Sequence, residues 1–190
     1  MAHVSIIGTG NMGQAIAGLA GKGGHTVQLL GHTDATEVSG DIVVLAVPYP
    51  AVADIIAKRG DSLAGKIVVD ITNPLNFDTF DSLVVPADGS ATAEIAAALP
   101  NSQVLKAFNT TFAATLSAGT VGSLTTTVLI AGDDADAKSA LAGVISSGGL
   151  NAVDAGALSR ARELEALGFL QLTLAVGEKV SWTAGFGLVA

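Results

Sequence analysis

An apolar run, His3–Gly8, empties directly into Gly8-Thr9-Gly10-Asn11-Met12-Gly13, and a helical pattern, Met12–Lys22, follows and closes on Gly23-Gly24. A G-x-G-x-x-G set between a strand and a helix leaves few folds open. The first glycine permits a tight turn, the second lets a pyrophosphate approach the backbone, and the third lets the helix pack close to the strand. Unpaired amides at the helix start, with the positive end of its dipole, then face an anion. Gly8, Thr9, Gly10, Asn11, Met12 and Gly13 are therefore the candidate phosphate contacts. The competing reading is a glycine-rich turn that binds nothing.

The rest of the 190 residues repeats the strand–helix alternation. Strands are expected at His3–Gly8, Thr26–Leu30, Asp41–Val47, Lys66–Thr72, Gln103–Asn109, Thr126–Ala131 and, more weakly, Asn151–Asp154. Their nearly continuous Val and Ile content suits strands buried on both faces. Helices are expected at Met12–Lys22, Ala51–Lys58, Ala91–Leu99 and Ala135–Ser146, with a loop over Ser117–Thr127. Alternation of this kind predicts an α/β fold, a Rossmann-type doubly wound and mainly parallel sheet, in one domain spanning 1–190. A long carboxy-terminal helix, 157–182, carries leucines almost all round. One sheet can cover one face, so a homodimer is expected to cover the other, the alternative being a helix that lies deep against its own sheet.

Composition excludes several classes. The chain has no cysteine and three scattered histidines, so neither a thiolate site nor a metal centre is expected. A net charge of −8 with no basic cluster disfavours nucleic acid. Hydrophobic residues reach 49%, but Gly, Asp, Pro or Gln interrupts every apolar stretch short of the ~20 residues a spanning helix needs. With no basic leader at the amino terminus, the expectation is a cytoplasmic protein without a membrane.

NAD enzymes keep an acid for the ribose hydroxyl about 20 residues beyond the turn. Gly31-His32-Thr33 stands there instead, which favours NADP over NAD, although no arginine is present and Asp34 follows closely. His32 reads equally as a phosphate contact or a solvated loop residue. Ligands in open sheets lie beyond the carboxyl ends of the strands, expected here at a switch between the first and fourth strands. That edge holds Ala46, Val47, Pro48 and Tyr49, then Asn73 and Pro74, then Phe108, Asn109, Thr110 and Thr111. Asn73 and Asn109 offer amides for a carboxamide or a ring edge. Lys106 can assist a carbonyl substrate or, alternatively, orient outward or pair with an acid. No Ser/Tyr-x-x-x-Lys pair appears, and no residue stands out as a general acid.

The turn Gly8–Gly13, Val47-Pro48, Val69-Asp70-Ile71-Thr72-Asn73-Pro74, Lys106-Ala107-Phe108-Asn109-Thr110 and Asp154-Ala155-Gly156-Ala157-Leu158 with Ala161–Glu165 together resemble the F420-dependent NADP oxidoreductase family. They are also similar to the reductase domain of the STEAP metalloreductases. The resemblance implies a dimeric NADP-binding Rossmann domain whose nicotinamide exchanges hydride with a deazaflavin (F420) or a flavin such as FMN or FAD. It places Asn109 and Thr110 by that acceptor and the 2′-phosphate in the loop Gly31–Thr33. The chain departs from the family where His32-Thr33 replaces the usual Ser-Arg, and the stretch to the third strand is short. Two other readings stand: a reductase of a small carbonyl or imine, and a non-catalytic dinucleotide-binding redox sensor.

Overall fold

A computed structural model describes residues 1–31 and 33–189. His32 lies outside the described residues. The strands are β1 (His3–Ile7), β2 (Thr26–Leu30), β3 (Ile42–Leu45), β4 (Ile67–Asp70), β5 (Gln103–Lys106), β6 (Thr120–Val121), β7 (Leu124–Thr125), β8 (Thr127–Ala131) and β9 (Asn151–Gly156). The helices are α1 (Asn11–Lys22), α2 (Tyr49–Leu63), α3 (Ala91–Ala98), α4 (Ala113–Ala118), α5 (Ala135–Ser147) and α6 (Ala161–Val176), the last preceded by a 3₁₀ turn, Leu158–Arg160.

Seven strands form one sheet in the order β2-β1-β3-β4-β5-β8-β9. The first five are mutually parallel; β8 runs antiparallel to β5, and β9 is parallel to β8. Successive residues alternate between two cores, as the period of a strand requires. Val4, Ile6, Val44, Val69 and Leu105 face one core with Ile16 of α1 and Leu141 of α5. Ile7, Val43, Leu45, Val68 and Val104 face the other with Val52 and Ile55 of α2 and Ile95 of α3. The sheet is therefore wound on both faces.

Four expectations change. The switch point lies between β1 and β3, because the third strand pairs directly with the first. Residues 33–41 carry no helix, yet a connection of about eleven residues reaches roughly 36 Å when extended. That suffices to return along the sheet and cross over β1. Within the expected loop Ser117–Thr127 the chain forms the β6–β7 hairpin, and α4 precedes it. Thr126 is tied back to Gly119 and Thr115, so the chain re-enters the sheet from the edge it left, and β8 must run antiparallel. The helix expected over 157–182 spans only Ala161–Val176, and Trp182 lies in the segment beyond it. Finally, the buried face of α6 is not its leucine stripe: Glu165 and Gln171 point inward with Ala161, Leu164, Gly168 and Ala175, while Leu170 is 49% exposed. Among the described residues no helix is long and apolar enough to cross a membrane.

Candidate functional site

The carboxyl ends of β1, β2 and β3 are laced together by Gly8 N–H donating to the Leu30 carbonyl and Ala46 N–H donating to the Ile7 carbonyl, each at 2.8 Å. Gly8 has φ +124°, and a Cβ there would sit 2.0 Å from the Ala46 carbonyl oxygen. A Cβ on Gly13 would lie 2.0 Å from the Gly8 carbonyl oxygen. Both glycines are thus required by packing alone. Gly10 differs, since a Cβ there meets nothing within 4 Å. It caps α1 with no side-chain hydrogen bond, and no acid stands in the first turn. The orphan amides of that turn consequently open onto free space, as an anion site needs.

From Asn11 and Met12 the surface deepens into a cavity of about 380 Å³. Ile71 and Asn73 line it after β4, and Phe108, Asn109, Thr111 and Phe112 line it after β5. α6 contributes Gly168, Gln171 and Leu172, and Trp182 closes the rim with its ring 5.0 Å from that of Phe112. The size and mixed lining are those of a small-molecule site. Asn73 and Asn109 form a reciprocal pair. Asn73 Nδ2 donates to the Asn109 carbonyl, and Asn109 Nδ2 donates to Asn73 Oδ1, both at 2.9 Å. Asn109 Nδ2 also donates to the Leu164 carbonyl at 2.8 Å. Phe108, at φ 62°, turns the chain so that this pair can form. α6 comes close because Gly168 has no side chain: a Cβ would fall 2.3 Å from Asn73 Oδ1.

Behind the cavity, Lys106 is fully buried among acids. Its Nζ lies 2.8 Å from Asp70 Oδ2 and 3.0 Å from Glu165 Oε1, and donates to the Thr72 carbonyl at 2.6 Å. Glu165 in turn accepts from the amides of Ala91 and Thr92 at the start of α3, and Thr92 Oγ1 donates to Asp70 Oδ2. Helix N-terminal amides offset the surplus negative charge of the cluster. Of the two sequence readings of Lys106, pairing with acids is the one observed.

Several expected residues go elsewhere. Tyr49 opens α2 and donates its hydroxyl to Glu94 on α3. Burial first, then that hydrogen bond and the surrounding carboxylates, push its phenol up to about 12. Thr110 faces Leu129, Leu167 and the 186–188 segment in a separate small pocket, and Thr111 takes its expected place in the cavity wall. Pro74 is buried outside the cavity, its carbonyl accepting from Val84 N–H. Pro48 is exposed as the residue before α2, next to Val47 and Ala46. At the β2 end, Gly31 N–H donates to the Asp34 carboxylate at 2.7 Å, which folds that acid back onto its own loop, and Thr33 is exposed. The arginine missing from the loop sequence arrives from α2. Arg59 donates to the carbonyls of Asp34 and Thr36. Only tertiary structure brings it there. α6 is the other omission, and a mid-helix glycine at Gly168 was its one sequence signal, since such glycines mark close approach.

The sequence and fold have known counterparts. Residues 19–74 match the family described as NADP oxidoreductase, coenzyme F420-dependent. The F420-dependent NADP reductase of Methanocaldococcus jannaschii is 31% identical over 148 residues, 76% of this chain and 66% of that protein. The metalloreductase STEAP3 of Rattus norvegicus is 32% identical over 130 residues, 68% of this chain and 25% of its own length. The chain thus spans about two thirds of the archaeal relative and a quarter of the rat protein. A structure from Arthrobacter sp. FB24, provisionally described as an F420-dependent NADP-reductase, superposes with a TM-score of 0.85 at 24% identity, covering 100% of both chains. An imine reductase from Streptomyces aurantiacus shares the fold at a TM-score of 0.65 and 16% identity, over 94% of this chain and 63% of that one. In sequence, the chain is thus similar to oxidoreductases of the F420-dependent NADP family.

Proposed function

We propose that the chain binds NADP(H) across the carboxyl edge of the sheet and passes hydride between the nicotinamide and a deazaflavin of the F420 type, or a flavin. Gly8, Gly10 and Gly13 shape the pyrophosphate turn, with the amides of Asn11, Met12 and Gly13 facing the phosphates. Ala46, Val47 and Pro48 flank it. Gly31, Thr33 and the Arg59 guanidinium lie at the adenosine end, where positive charge suits a 2′-phosphate. The nicotinamide enters the cavity beside Asn73 and Asn109.

One observation carries the choice of reaction. Among the described residues, no ionisable side chain lines the cavity, and Lys106 is locked behind it in buried ion pairs. Reduction of a carbonyl or imine calls for a positioned proton donor. Hydride exchange between two ring systems calls mainly for binding and orientation, because the chemistry belongs to the cofactors. NADPH, when bound, supplies the hydride; the acceptor completes its reduction with a proton from solvent. The apolar surface left on α6 and the tail, with Leu170, Trp182, Phe186 and Leu188 exposed, suits a second copy of the chain.

The chain's single tryptophan lines the cavity, so its emission reports NADPH binding. NADPH is expected to quench Trp182 in the parent and not in Gly10→Val, whose new side chain projects into the open space of the turn. Deuterium from C4 of NADPH is expected on reduced F420 or flavin. Label found only in a carbonyl or imine product would replace this reading with the small-substrate one. Binding without transfer to any acceptor would leave a redox sensor.

A further inference from the structure

Gln171 is 3% exposed and Asn109 6%, yet Gln171 Oε1 and Asn109 Oδ1 meet no hydrogen-bond donor among the described residues. Both side chains line the cavity that begins at Asn11 and Met12. A buried amide oxygen without a donor is costly, and native proteins seldom leave one so unless a ligand or water completes it. The orientation of the Asn109 amide is set by its neighbours. Its Nδ2 donates both to the Leu164 carbonyl and to Asn73 Oδ1. Reversing the amide would set oxygen against oxygen at Leu164, so the atom left free is an acceptor.

Two unsatisfied acceptors in one cavity select for a nitrogen bearing two N–H bonds. A carboxylate or phosphate would be repelled. An imide edge, one N–H between two carbonyls, satisfies one acceptor and sets a carbonyl against the other. An ammonium or guanidinium would find no carboxylate among the lining residues to offset its charge. A primary carboxamide supplies both hydrogens and stays neutral. We propose that Asn109 Oδ1 and Gln171 Oε1 accept the two N–H bonds of the nicotinamide carboxamide, which makes Gln171 a specificity-determining residue contributed by α6. The assignment rests on the NADP(H) reading above. Gripping the carboxamide fixes the rotation of the ring and thereby which face it turns toward the acceptor.

The test compares the parent with Gln171→Leu and Gln171→Met, both apolar and close in volume. Three nucleotides are titrated against each by displacement of NADPH fluorescence. They are NADP⁺, its 3-acetylpyridine analogue, in which a methyl replaces the carboxamide NH₂, and 2′,5′-ADP, which lacks the nicotinamide half. The parent is expected to bind NADP⁺ about tenfold more tightly than the analogue, as the loss of buried hydrogen bonds predicts. In both variants the preference for NADP⁺ over the analogue shrinks to about threefold, the share left to Asn109, while the analogue and 2′,5′-ADP keep their parent affinities. Without nucleotide, the variants should unfold no earlier than the parent, because an apolar side chain replaces an orphaned amide. Variants that still prefer NADP⁺ as the parent does, or that lose NADP⁺ and the analogue together, overturn the assignment while leaving NADP(H) binding intact. A parent that binds none of the three nucleotides overturns the NADP(H) reading itself. If Gln171→Leu does not fold, Gln171→Met decides.

Discussion

Tyr49 shows how a residue at the right place in the sequence can serve a different purpose. It follows Val47-Pro48 at the end of β3, yet its phenol crosses to Glu94. Tyr49→Phe is therefore expected to leave NADPH affinity unchanged in the Trp182 titration, and a severalfold loss would return Tyr49 to the site. The same contact has a pH signature. The phenol, near 10 in an unfolded chain, is pushed up to about 12 in the folded protein. The folded state then holds a proton that the unfolded chain has released, so stability is full below pH ~10 and is lost as pH rises toward about 12. Tyr49 is the only tyrosine, so tyrosinate absorbance follows it directly. A midpoint at the ordinary phenol value would show that the contact does not hold in solution.

At the scale of elements, α6 is fastened by charge rather than by its leucines. Glu165 joins it to the first turn of α3 and to Lys106 of β5, while Asn109 holds the Leu164 carbonyl. Lys106→Met leaves Asp70 and Glu165 buried without their cation, and should cost about 3–5 kcal/mol of stability in urea unfolding. A loss under ~1 kcal/mol, the size of an exposed ion pair, would mean that the cluster is solvated. The leucines of α6 predicted a helix buried on most sides, whereas the structure buries one face and leaves Leu170 and Val176 exposed. The leucines did not reveal which face is buried, because Glu165 and Gln171 read as solvent positions in the sequence alone. The α3 amides that Glu165 accepts from lie 74 and 73 residues away in sequence, beyond any local pattern.

At the scale of the whole molecule, the apolar surface that α6 and the tail leave exposed is the strongest reason to expect assembly. Light scattering on a sizing column should give a dimer at micromolar concentration, and Leu170→Glu should shift it to monomer. A parent that elutes as a monomer would assign that surface to another partner. Strand existence, the α/β alternation and the glycine turn were legible in the sequence because each rests on local physics: continuous Val and Ile runs, glycines at forced backbone positions, and helix ends. The placement of β3 beside β1, the reversal of β8, the delivery of Arg59 to the β2 loop and the entry of α6 into the cavity were not legible. Each depends on which distant segments find complementary surface, and a crossover of 31–41 or a ring of buried charge leaves no periodic mark. The chain's own residues determined that a tight glycine turn would form between β1 and α1. Only the packing of the C-terminal helix against Asn73 and Asn109 decided what lines the cavity, because those contacts are made by chemistry that is complementary in space and unrelated in sequence.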